Sequence, residues 1–130
     1  MSKFVLIVIL WGASMLPALA GSVDVRHAEF THQTNTWAVS TTLQHGDTGW
    51  QHYADAWRIV TETGKVLATR VLYHPHVNEQ PFTRSLSNVK LPEGLQRVHV
   101  EAHCTVHGWS KERLSVDLNL SKGPRFEVNR

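Results

Sequence analysis

From residue 23 onward the apolar side chains recur at every second position in a series of short runs. Trp37, Val39, Thr41 and Leu43 alternate with Ala38, Ser40 and Thr42, and Val98, Val100, Ala102, Cys104 and Val106 form a second such row. Leu114, Val116, Leu118 and Leu120 form a third. Because side chains on a strand point alternately to opposite faces, each row marks one buried face. Less regular runs at Val23 to Thr31, around Trp57 and Ile59, at Val66 to Tyr73 and at Phe82 to Leu91 bring the count to seven predicted strands. Turn-forming residues separate them, as in Gln33-Thr34-Asn35, Glu62-Thr63-Gly64-Lys65 and Pro92-Glu93-Gly94. No segment keeps a helical period. The pattern predicts an all-β, seven-stranded antiparallel β-sandwich over residues 21–122, with Trp57 packed inside against Val39, Val100 and Val116. Gly123-Pro124 opens what reads as a polar C-terminal tail, 123–130.

The first 20 residues follow different rules. Lys3 precedes an almost wholly apolar stretch from Phe4 to Leu16, and Pro17-Ala18-Leu19-Ala20 ends in small-x-small. This is the layout of a secretory signal peptide cleaved after Ala20. The apolar stretch is shorter than the roughly 20 residues that span a bilayer, so no stable membrane anchor is expected. The protein is expected to be periplasmic or secreted, starting near Gly21.

Without Lys3 the chain carries 12 basic and 11 acidic residues, a balance that gives no field for nucleic acid or anionic lipid. Cys104 has no second cysteine to pair with. Its place in the alternating row reads as a buried, inert thiol, with a metal thiolate or an intermolecular disulfide as the other readings. Both methionines, Met1 and Met15, fall in the signal segment, so the mature chain offers no thioether to a soft metal.

Two stretches resemble known proteins. The run from Leu91-Pro92-Glu93-Gly94 through Arg97 to Ala102 is similar to a turn and strand of fibronectin type III and other immunoglobulin-like domains, where Trp57 would be the buried core tryptophan. The block from Ala54-Asp55-Ala56-Trp57 through His74-Pro75-His76 to Leu86 resembles uncharacterised small secreted bacterial proteins. The resemblance implies a sandwich and, by itself, no activity.

A sandwich whose strands reverse at every connection gathers alternate loops at one end. The second-to-third, fourth-to-fifth and sixth-to-seventh connections then meet, and these carry His45, His52, His74, His76 and His107, five of the nine histidines. His74-Pro75-His76 holds two imidazoles on a stiff tripeptide, since Pro fixes its own φ and extends its predecessor. A third ligand can come from His45, His52 or His107, and a fourth from Asp47, Asp55, Glu79 or water. Imidazole and carboxylate donors suit a borderline ion, so the expected cofactor is Zn(II) or Cu(II). The competing reading makes these histidines structural, locking loops by hydrogen bonds to backbone, with Glu79-Gln80-Pro81 capping the corner.

Other positions carry weaker signals. His99, Glu101 and His103 share one strand face, as a chelating stripe or as a solvated outer surface. His27 and His32 have no partner in view, and Arg70 and Arg84 read as salt-bridge residues, with Glu79 a candidate partner. Trp50, Tyr53 and Trp109 in the histidine loops suggest an alternative function, a carbohydrate- or protein-binding module using aromatic rings. No nucleophile elbow, His-Glu-x-x-His or phosphate loop is present, so the expected role is binding rather than catalysis, with a metal ion, a small ligand, another secreted protein or a glycan as partner.

Overall fold

The computed structural model describes residues 21–130; the expected signal segment and its cleavage site lie outside the described residues. The described chain is all-β, with ten strands: β1 (Asp24–His32), β2 (Trp37–Gln44), β3 (Ala54–Val60), β4 (Val66–Val71), β5 (Phe82–Val89), β6 (Arg97–Cys104), β7 (Gly108–Trp109), β8 (Leu114–Asp117), β9 (Lys122–Gly123) and β10 (Phe126–Asn129). They form two five-stranded sheets. One has the order β5-β2-β1-β10-β9; in the other β4-β3-β6 is continued by β7 and β8, both paired to β6.

The two-residue period explains most of this. β2 alternates buried and half-buried along its whole length, and in β6 Val98, Val100, Ala102 and Cys104 are fully buried. These faces join Phe30 and Leu43 from one sheet, and Trp57, Ile59, Leu114 and Val116 from the other, in one apolar cluster. Trp57 is fully buried, as the sequence implies, and its Nε1 has no hydrogen-bond partner. The edge strand β4 is largely exposed because only β3 pairs with it. Arg70 reaches from it to the carbonyl of Ser85 on β5, 2.9 Å away, joining the edges of the two sheets.

The structure departs from the sequence reading in three places. Val106, assigned to the inward row of β6, is 58% exposed, because the strand ends at Cys104 and the chain turns through residues 105–107. Gly108 takes the left-handed φ of 74° that lets this turn close, and Gly108 and Trp109 pair back onto Cys104 and His103. The seventh strand, expected to run on to Leu120, ends at Asp117. There the Asp117 carboxylate accepts the Asn119 N–H at 2.9 Å, turning the chain and leaving Leu120 half exposed.

The third departure is the C-terminal segment. Residues 123–130, read as a polar tail, contain β10, which runs parallel to β1 and buries Phe126 and Val128. The sheet is therefore not wholly antiparallel. Gly123 leaves no room for a Cβ, because the Phe126 ring lies against it. Phe126→Ala should therefore destabilise the protein by about 3–5 kcal/mol, the usual cost of emptying a buried aromatic site. Chemical denaturation checks this, with Lys122→Ala on the exposed side of β9 as a control of little effect.

Candidate functional site

The three histidine-bearing connections do meet, and one carboxylate ties the first two together. Asp47 follows β2, and its side chain is excluded from solvent. Its Oδ1 accepts the His45 Nδ1–H at 2.6 Å and the Ala54 N–H at 2.9 Å; its Oδ2 accepts the His76 N–H at 2.8 Å. Gln80 repeats the linkage, accepting the His45 N–H at 3.0 Å through Oε1 and donating from Nε2 to the His76 carbonyl at 3.0 Å. The third connection is tied in through Thr105, whose N–H donates to the Tyr53 carbonyl at 3.0 Å. Each of these polar groups is thereby hydrogen-bonded, and those of His76, Gln80 and Thr105 reach across to the first connection.

A tight turn then delivers His52. The Thr48 N–H donates to the His52 carbonyl at 3.0 Å, and the His52 N–H donates to the Gly49 carbonyl at 3.2 Å. Trp50 is left at the exposed tip and the His52 ring is turned back toward Cys104. The His52 Nε2 lies 3.4 Å from the Cys104 Sγ, and the His107 Nδ1 lies at the same distance on another side. The backbone N–H of His107 also donates to this sulfur, at 3.2 Å. Rings of His45 and His52 are 4.7 Å apart, and those of His52 and His107 are 5.0 Å apart.

Among the described residues, His45, His52 and Cys104 bring three donor atoms within 4.8 Å of one another. An ion about 2.0 Å from nitrogen and 2.3 Å from sulfur would subtend roughly 100° between donors separated by the 3.4 Å seen here. That angle is near the tetrahedral value. Nδ1 of His45 is committed to Asp47, and its Nε2 lies 3.0 Å from the Gly21 carbonyl, which an ion at that nitrogen would displace. Asp47 holds the His45 ring in the way that a carboxylate orients a metal-bound imidazole. Burial lowers the pKa of His52, and its neighbours His45 and His107 lower it further, against an opposing pull from Asp47. The shift favours the neutral ring, which is the form that binds metal.

The His74-Pro75-His76 tripeptide lies beside this cluster rather than in it. The rings of His74 and His76 are 4.7 Å apart, but His76 stacks on Phe82 at 4.1 Å and its Nε2 accepts from Arg84 at 2.9 Å. Burial depresses the His76 pKa, followed by the Arg84 guanidinium and His74. Its Nδ1 is buried and without a partner. A guanidinium at hydrogen-bond distance opposes a second cation at the His76 Nε2. Glu79 is exposed and meets Arg84 through both oxygens at 3.2 Å; the hydrogen bond from Arg84 is the main reason its carboxyl pKa is lowered. Asp55 pairs with the His103 Nδ1 on the outer face.

The remaining candidates sort by contact. In the β6 stripe each member has its own cross-strand partner: His99 meets the Ser115 hydroxyl at 2.9 Å, Glu101 accepts from Arg58 at 2.9 Å, and His103 pairs with Asp55. Of the loop aromatics, Trp50 is 66% exposed and stands edge-on to Tyr53, whereas Trp109 is covered by the Arg58 guanidinium at 3.7 Å. His32 rests on Trp37, and His27 is half-buried on β1. Cys104 is buried, as its place in the alternating row implies, but that row does not show the two imidazoles beside it; Gln80, read as part of a corner cap, bridges two connections. The two-residue spacer in Cys104-Thr105-Val106-His107 was the signal available, since it lets the imidazole fold back onto the sulfur.

No family model matches the chain, and no solved structure matches it. It is 41% identical over 78 residues, 60% of its own length, to a protein of Halomicrobium mukohataei (strain ATCC 700874 / DSM 12286 / JCM 9738 / NCIMB 13541) that bears the name "Putative lipoprotein". The matched region makes up 38% of that relative's length.

Removing the Asp47 carboxylate leaves three donors without an acceptor in a closed site. Asp47→Ala should cost about 3–5 kcal/mol, as for a buried ionic partner taken away. Asp47→Asn, which keeps one acceptor oxygen, should cost less. Urea denaturation of the two variants checks both the size and the order.

Proposed function

We propose that the protein is an exported, immunoglobulin-like β-sandwich that binds one divalent transition-metal ion, Zn(II) or Cu(II), at the end of the sheets. His45, His52 and Cys104 are the principal ligands, His107 is the fourth, and Asp47 orients His45. The observation that carries this reading is the convergence of two imidazoles and a thiol within 4.8 Å of one another. Convergence alone is common among polar residues. Here the sulfur is fully buried, the donor types match a borderline ion, and a carboxylate holds one imidazole from behind.

Two further observations support the setting. The division of β1, β2 and β5 from β3, β4, β6 and β8 fits an immunoglobulin-like arrangement of paired sheets. The signal-like segment 1–20 and a relative named for lipoprotein character both fit export to the periplasm or beyond. A groove lined by Ser22, His107, Trp109, Lys111 and Glu112 lies on the His107 side of the cluster.

A second reading has its own observation. Trp50, Tyr73, Val77 and Val106 are the exposed large apolar side chains of the same loop end, and such a rim suits a protein or glycan partner. In that reading the histidines only brace the loops.

Calorimetry with untagged protein separates the two. One Zn(II) per chain is expected, with affinity falling as pH falls, because protons compete for the same donors. Asp47→Asn should weaken binding by about 10–100-fold, as loss of an orienting carboxylate does, and His52→Ala by more. His27→Ala and His32→Ala serve as controls. Absence of Zn(II) and Cu(II) binding by the wild type, or full binding by His52→Ala, removes the metal reading and leaves the loop rim as the functional surface.

A further inference from the structure

Resting on the metal reading, we propose that the site is a thiolate–imidazole copper centre that passes between Cu(II) and Cu(I), and hence a one-electron redox site. The donor set points this way. Structural zinc sites close four ligands around the ion and usually take more than one thiolate when sulfur is used. A single thiolate with two imidazoles in a near-trigonal set, and a weaker fourth group, is the combination that electron-transfer copper centres use. Cys104, His45 and His52 supply the three, and His107 is placed 3.4 Å from the sulfur as the fourth.

Copper and thiols are ordinarily incompatible, because Cu(II) oxidises two thiols to a disulfide and is itself reduced. Two features of this chain block that outcome. Cys104 is the sole cysteine in the sequence, and it is fully buried at the end of β6, so two chains cannot bring their sulfurs together without unfolding. The sulfur therefore has nothing to couple with, and a Cu(II)–thiolate bond persists. The N–H of His107, 3.2 Å from Sγ, donates to the sulfur and withdraws electron density from it. Hydrogen bonding of this kind is one of the means by which a protein sets the potential of such a centre.

The surroundings also suit a centre that changes oxidation state without changing shape. The ligands are fixed before the ion arrives: Asp47 and Gln80 hold His45, the Gly49 turn holds His52, and the β6–β7 turn holds Cys104 and His107. Cu(II) and Cu(I) prefer different geometries, so a ligand set braced by its own loops lowers the reorganisation needed for electron transfer. The step balances simply. Hexaammineruthenium(II), a one-electron donor, reduces Cu(II) to Cu(I) and becomes hexaammineruthenium(III), with no bond broken and no proton moved; hexacyanoferrate(III) takes the electron back.

The test begins with untagged, metal-free protein reduced at Cys104, to which one equivalent of Cu(II) is added without oxygen. An intense visible charge-transfer band is expected, together with sulfur scattering at copper in X-ray absorption. The band should bleach with one equivalent of hexaammineruthenium(II) and return with hexacyanoferrate(III). Cys104→Ser should lose the band while still taking up Cu(II), showing only weak ligand-field absorption. The X-ray measurement needs no variant, so it decides the matter even if Cys104→Ser fails to fold. Copper bound at one per chain without a sulfur neighbour overturns this inference and leaves the metal reading standing. A band that survives in folded Cys104→Ser, or a centre that bleaches and does not return, also overturns it. Failure to bind either Zn(II) or Cu(II) overturns both.

Discussion

The buried carboxylate of Asp47 is the constraint on which the loop end depends. A carboxylate taken out of water is costly unless its oxygens are fully bonded, and here three donors from three places in the chain meet that demand. The same requirement works in reverse, because the Ala54 and His76 amides would be orphaned if the loops separated. One side chain therefore fixes the start of β3, the His76 corner and the tautomer of His45 together. Gln80 adds a second tie between the same two loops, so the geometry does not rest on charge alone.

The sheets make this possible by setting where the loops begin. β3 pairs with β6 from Ala54 to Val60, and β6 turns back on itself at Gly108. These pairings place Cys104 directly opposite Ala54, the residue whose N–H reaches Asp47. The sulfur and the carboxylate are thus positioned by the same rung of one ladder. The fully buried side chains beneath them, Trp57, Ile59, Val98 and Val100 among them, resist any slip of register, because a shift by one residue would turn an apolar face to water.

How much of this the sequence makes legible depends on the kind of physics involved. Period-two alternation is local, so β2, β6 and the start of β8 are readable from the rows Trp37 to Leu43, Val98 to Cys104 and Leu114 to Val116. The meeting of the three histidine loops is also readable, because it follows from strand reversal. β10 is not, since Phe126 and Val128 are only two apolar positions set among Pro124, Arg125 and Glu127, and their burial comes from parallel pairing with a strand about 100 residues earlier. Ligand choice within the histidine cluster is likewise hidden. Whether His76 faces an ion or the Arg84 guanidinium depends on stacking with Phe82, six residues away, and no spacing rule encodes that. Cys104 sits on the predicted inward face as expected; what alternation cannot reveal is that the end of that face is lined by imidazoles rather than by hydrocarbon.

His45 shows how the structural and metal-binding readings of the cluster can both hold. Its Nδ1 faces the Asp47 carboxylate and its Nε2 lies 3.0 Å from the Gly21 carbonyl, so two oxygens oppose two ring nitrogens. Both contacts are hydrogen bonds when the ring carries both protons. On the proposed metal reading, an ion at Nε2 would take the place of the second proton and leave the Asp47 bond intact, giving the carboxylate–histidine–metal arrangement. Loop bracing and metal binding would then be two occupancies of one framework. Without an ion His45 ties the Gly21 segment to the loops; with one, that tie would be exchanged for bonds to Cys104 and His52 through the ion. Asp47 and Gln80 order the loops without the ion, so little of its binding energy would be spent on arranging its own ligands.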